Sequence, residues 1–218
     1  MNLLKFIMFS SLEYFSSFMF ILLQFRFTIR GNIEKILLIS VLLSFVSYSF
    51  IETKMLGLSP LIQNIIFLVY IWMILKVSLL NSLIMLLTGY TVFGMIQTCF
   101  AAVFYHLGIV SGDLVMGTKS SYLISICSSI SMVILGGFIY FLKGGFSFIE
   151  NRGRVTKKMT GKDKLFVIYI LVAFIVTLLV NIYMLDQVEP PYLLLAALLT
   201  VVLIFIFYLT FKRDESVG

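Results

Sequence analysis

The chain has 218 residues, of which 61% are hydrophobic and 12% charged, with a formal net charge of +6. An average soluble domain is about 45–50% apolar and about 25% charged, so a chain of this size has no interior large enough to hide its apolar side chains. That excludes an ordinary water-soluble domain and predicts an all-α, polytopic membrane helix bundle forming a single transmembrane domain over 1–218, because uncharged apolar stretches of about 18 or more residues read as membrane-spanning helices.

Seven spans fit, at about 3–25, 33–50, 60–75, 79–107, 122–142, 165–185 and 192–211. The third is short, so six remains the competing count. The first is too long for the apolar part of a signal peptide, and no small-residue cleavage site precedes Arg26, so it is expected to be retained. It contains "FSSLEYFSS" (9–17), where Ser10, Glu13, Ser17 and Gln24 share one helical stripe with Ser16 beside it. The stripe is expected to face other helices. No basic residue is predicted at the depth of Glu13, and an ionised carboxylate at mid-bilayer costs at least about 2.5–3.5 kcal/mol. Glu13 is therefore expected to be mostly protonated and to donate a hydrogen bond to a Ser, Thr, Tyr or Asn. It is either a working group or a polar residue packed inside.

The third and fourth spans are divided by a turn at Lys76-Val77-Ser78. In the fourth, Thr88, Thr91, Gly94, Thr98 and Ala101 or Ala102 fall on one face, where small residues admit close approach and hydroxyls bond across the contact. Tyr90 and Gln97 add polar atoms near mid-depth, so this face either packs or lines a pocket. Cys99 and Cys127 lie inside apolar spans without disulfide or metal spacing and are expected to be small buried residues. His106 is the sole histidine, which leaves no set of ligands for a metal. No metal, cofactor or catalytic residue is expected, and no enzyme. At the predicted outer ends Tyr48, Glu52, Tyr105, His106, Tyr122 and Tyr183 gather aromatic and polar chains. These suit either a mouth for a hydrophobic or peptide ligand or ordinary interfacial anchoring.

The longest polar segment, "KGGFSFIENRGRVTKKMTGKDK" (143–164), carries seven basic residues against Glu150 and Asp163. Placing it inside puts thirteen of the sixteen Lys and Arg on the cytoplasmic side, as topology rules require. The expected arrangement is N-terminus out, C-terminus in. Arg152, Arg154, Lys157, Lys158, Lys162 and Lys164 are candidates for docking anionic lipid headgroups or a protein partner. Nothing there resembles a fold that reads bases, so nucleic acid is not an expected partner.

"FRFTIRGNIEKILLISVLLSFVSYSF" (25–50), "LSPLIQNIIFLV" (58–69) and "GYTVFGMIQT" (89–98) resemble, in layout and texture, the membrane-sensor halves of Gram-positive peptide-pheromone histidine kinases of the accessory-gene-regulator and competence type. The resemblance implies a bacterial plasma-membrane protein that takes part in quorum sensing and receives a secreted peptide on short outer loops. Members continue into a kinase with a phosphoacceptor histidine. Here the chain stops at Gly218 and His106 lies in the membrane region, so the resemblance implies a sensor without a kinase, partnered with a histidine kinase or another membrane protein. Two alternatives remain open: a small-solute transport protein, such as the substrate-binding membrane subunit of an energy-coupling importer, with Glu13, Tyr90 and Gln97 in its cavity, and a ligand-free membrane scaffold. The absence of an internal repeat weakens a transporter built from duplicated halves.

Overall fold

A computed structural model describes residues 3–53, 59–109, 118–142 and 145–146, with separate positions between 168 and 208. The described residues form helices and no strands: α1 (Leu3–Gln24), α2 (Ile33–Glu52), α3 (Ser59–Leu75), α4 (Leu79–His106) and α5 (Lys119–Phe141). Four of these, α1, α2, α4 and α5, are long and apolar enough to cross a membrane; α3, with 17 residues, is shorter. The boundaries follow the expected spans to within three residues at either end. The described positions from 168 to 179 and from 194 to 208 are also helical, and Leu195 and Leu199 pack against Met95 of α4.

Local chemistry sets the breaks. α1 ends with Arg26 in the left-handed region at φ 57. The Phe27 amide then reaches back to the Leu22 carbonyl at 2.8 Å and the Arg26 amide to the Leu23 carbonyl at 3.3 Å, the paired closure that satisfies the last carbonyls of a helix. Lys76, at φ 53, breaks the chain between α3 and α4 in the same way. Ser78 then caps α4 by accepting from the Asn81 amide at 3.3 Å, and Thr118 caps α5 by accepting from the Ser121 amide at the same distance. The turn expected at residues 76–78 is present, with Val77 tucked into the core.

α1 packs against α2, α4 and α5, while α4 also touches α3 and α5. Close approach is built in by glycine. A Cβ on Gly136 of α5 would stand 3.3 Å from the Phe20 Cα and 3.0 Å from the Leu23 Cδ1, and one on Gly89 of α4 would meet the Ile21 side chain at 2.5 Å. The polar stripe of α1 faces inward as expected, with Ser10, Ser16, Ser17 and Gln24 buried. Its apolar side is divided between two environments. Leu4, Met8 and Leu12 are exposed, but Phe18, Phe20, Ile21, Leu22 and Leu23 are buried, because the second half of α1 is enclosed by its three neighbours.

Outward faces carry large apolar side chains: Leu37, Leu38 and Phe45 on α2, and Ile130, Ile134 and Phe138 on α5. A belt of that kind suits hydrocarbon and not water. Several buried hydroxyls turn back on their own helix, although those of Ser128 and Ser129 find no partner among the described residues. Ser40 donates to the Ile36 carbonyl at 2.7 Å, Ser44 to Ser40 at 2.8 Å and Thr88 to Ile84 at 2.7 Å, which satisfies each donor where no water can. The cysteines correct the expectation of burial. Cys99 is exposed and Cys127 half-buried, both as free thiols; helical periodicity turns Cys99 away from the face that buries Thr98 and Ala102.

Candidate functional site

A cavity of about 300 Å³ lies in one half of the bundle. It draws on the N-terminal half of α1, the C-terminal end of α2, the N-terminal half of α3, the C-terminal half of α4 and the start of α5. Those parts can meet only if successive helices alternate in direction. Arg26, Arg30 and Lys76 therefore stand at the opposite end from the cavity.

From α1, Phe6, Phe9, Ser10, Glu13, Tyr14 and Ser17 reach the wall. These are i, i+3, i+4 and i+7 positions, so one helical face supplies them. α3 contributes Ser59, Gln63, Asn64 and Phe67, α4 contributes Tyr90, Gly94, Gln97 and Thr98, and α5 contributes Tyr122 and Ser125. At the inner limit Phe18 stands against Phe67, ring centroids 3.8 Å apart, with Tyr70 edge-on to Phe18 at 5.2 Å. Near the helix ends Phe9 stacks on Tyr122 at 4.4 Å.

A chain of hydrogen bonds lines one side. The Tyr14 hydroxyl donates to Gln63 Oε1 at 2.5 Å, and Gln63 Nε2 donates to Ser59 Oγ. Asn64 Nδ2 donates to the Pro60 carbonyl at 2.8 Å, and the Asn64 side chain is also a hydrogen-bond partner of Tyr90. The Gln63 amide is thus fixed in orientation by both of its ends.

Glu13 is the only carboxyl among the described residues of the wall, and no Lys, Arg or His accompanies it. Its side chain is hydrogen-bonded with Ser125 of α5. The Ser125 hydroxyl also stands 3.0 Å from the Ser121 carbonyl, to which it can donate. The Glu13 carbonyl, meanwhile, accepts from Ser16 at 2.8 Å and Ser17 at 2.9 Å.

The structure thus brings together four of the sequence-derived candidates, Glu13, Tyr90, Gln97 and Tyr122. Tyr105 and His106 stand on the exposed last turn of α4, rings 6.3 Å apart, and do not reach the wall. Tyr48, also at this end, donates to Glu52 at 2.6 Å on the surface. Tyr183 and the basic residues Arg152, Arg154, Lys157, Lys158, Lys162 and Lys164 lie outside the described residues. Sequence reasoning missed Tyr14, Ser47, Ser59, Gln63 and Asn64. The signal that Gln63 and Asn64 leave in the sequence is an adjacent amide pair inside an apolar helix, "SPLIQNIIFLV".

Away from the cavity, the segment after α5 seats on the end of α1. The Phe146 amide donates to the Gln24 carbonyl at 2.9 Å, and the Phe146 ring packs on Phe25 with centroids 5.5 Å apart. Gly145, at φ 90, has no space for a Cβ against that carbonyl.

No protein-family model, no curated protein and no solved structure matches the chain.

Proposed function

We propose that this chain is a non-catalytic, multi-pass membrane receptor that binds a hydrophobic or peptide signal in the cavity and relays occupancy to a partner. In this reading seven helices cross a bacterial plasma membrane with the N-terminus out, so the cavity opens outward and the basic 143–164 segment lies in the cytosol beside anionic headgroups. The observation that carries it is the cavity's position. It lies in the half of the bundle opposite the basic turns at Arg26 and Lys76, and its wall holds Glu13, Tyr90, Gln97 and Tyr122. Aromatic and amide groups around one carboxyl are the furniture of a ligand site. Helix α1 supplies a route for the relay, since it reaches from Glu13 in the wall to Gln24, on which Phe146 at the start of the basic segment is seated. A ligand moves such a device only by its differential affinity for two arrangements of the helices. The likeness to pheromone sensors in the Phe25–Phe50 region supports the same assignment.

A solute importer subunit is the second reading, favoured by the cavity's volume of about 300 Å³, which fits a small molecule. Purification of the full chain from native membranes in mild detergent separates the two. A co-purifying histidine kinase is the result expected for the receptor. An ATPase pair assigns the chain to transport, and recovery of neither leaves a scaffold. A reporter fused after Gly218 is expected to be active only in the cytosol; activity outside overturns the orientation.

A further inference from the structure

We propose that the occupant of the cavity carries a protonated amine on an apolar body, and that Glu13 is its counter-charge; this rests on reading the cavity as a ligand site. The first argument is the charge of the wall. It has one carboxyl and, among the described residues, no cationic side chain. An anionic occupant would find no cation in the wall to pair with, and a neutral one would leave the carboxyl to Ser125 alone; only a cation beside Glu13 draws it from the protonated form to the carboxylate. An ammonium supplies what the helices lack.

The second argument is the type of surface around Glu13. An ammonium has three donors and no acceptor, and it is attracted to the faces of aromatic rings within about 6 Å. Phe9 and Tyr122 present a stacked pair in the wall, and Tyr14 and Tyr90 also line it. Hydroxyl oxygens of Ser10 and Ser17 stand on the same face of α1 as the carboxyl.

The third argument is size. About 300 Å³ is the lower end of ligand pockets, which run to about 1,000 Å³. It accepts one ring with a short amine-bearing chain and not a whole folded peptide. The ammonium therefore belongs either to a small free amine or to the N-terminus of a peptide whose first side chain alone enters.

The test is equilibrium dialysis of the full chain in nanodiscs of phosphatidylcholine, at neutral pH, against protein-free discs. Phenethylamine is compared with 2-phenylethanol, and phenylalaninamide with its N-acetyl derivative. The expected result is that the amine of at least one pair binds more tightly than its neutral partner by about tenfold, equivalent to about 1.4 kcal/mol, with the difference lost in Glu13→Gln. Preference in the first pair alone assigns a free amine, and preference in the second a peptide N-terminus. Equal binding of amine and neutral probe overturns the proposal, as does a preference that survives Glu13→Gln. If that equal binding disappears in Gly94→Phe, the ligand cavity stands and only the amine falls. Absence of binding by every probe also overturns the amine, and the partner recovered in detergent then decides the receptor reading by itself. The wild-type comparison is decisive even if Glu13→Gln fails to fold, and Glu13→Asp, which keeps the carboxyl, is expected to retain the preference.

Discussion

The Tyr14 hydroxyl and the Gln63 side chain, 49 residues apart in sequence, meet at 2.5 Å and join α1 to α3 beside the cavity. The link holds two walls at a fixed separation, because Gln63 is in turn bonded to Ser59 one helical turn away. Tyr14→Phe removes the hydroxyl and leaves Gln63 Oε1 without its donor. The expected cost is about 1–2 kcal/mol of stability, read as a lower midpoint of thermal unfolding in detergent. An unchanged midpoint would falsify the idea that this contact braces the wall.

Gly136 and Gly137 are adjacent on α5 yet differ in surroundings. A methyl at Gly136 presses on the Phe20 backbone and the Leu23 side chain, whereas one at Gly137 meets nothing within 4 Å. Gly136→Ala is expected to destabilise by about 1–3 kcal/mol through overpacking. Gly137→Ala is expected to be neutral or to stabilise by up to about 1 kcal/mol, since alanine is the better helix former. The two midpoints, measured side by side, give the sign of each.

Lys76 adopts a left-handed backbone conformation that L-residues with a Cβ resist at a cost of about 1–2 kcal/mol. Replacement by Gly relieves the strain and returns part of the gain as greater freedom of the unfolded chain. Lys76→Gly is expected to raise stability by about 0.5–1 kcal/mol. A fall in the unfolding midpoint would show that the lysine side chain contributes more than its backbone costs.

Gly145→Ala drives a methyl into the Gln24 carbonyl, so the Phe146 amide must leave its acceptor. Hydrogen exchange at that amide is expected to accelerate by at least tenfold while exchange in the middle of α4 stays as it was. Unaltered exchange at Phe146 would mean the contact tolerates the extra atom.

How much of this was legible in the sequence depends on which signal each feature leaves. Apolar runs and the charges that interrupt them locate α1 to α5 to within three residues, since burial in hydrocarbon admits few alternatives to a helix. Glu13 was legible because a carboxyl in an apolar run has few explanations, and its stripe of serines gave the inward direction. The burial of Phe18 to Leu23 was not legible: apolar residues face lipid or protein with equal ease, and only the neighbours of α1 decide which. The same indifference hid the exposed Cys99. Gln63 and Tyr14 were hidden for another reason. Their role arises from pairing across 49 residues, and no local pattern reports such a distance.

α3 and α4 are antiparallel neighbours joined by three residues, yet α3 has 17 residues and α4 has 28. At about 1.5 Å per residue the longer helix outruns the shorter by roughly 16 Å, all of it at the far end. The last turns of α4 thus extend past the described start of α3 at the end of the bundle that holds the cavity, with Tyr105 and His106 at the tip. On the receptor reading proposed above, a molecule that enters from this end of the bundle would pass those rings on its way to Glu13, so exchanging them should alter the rate of arrival more than the strength of binding.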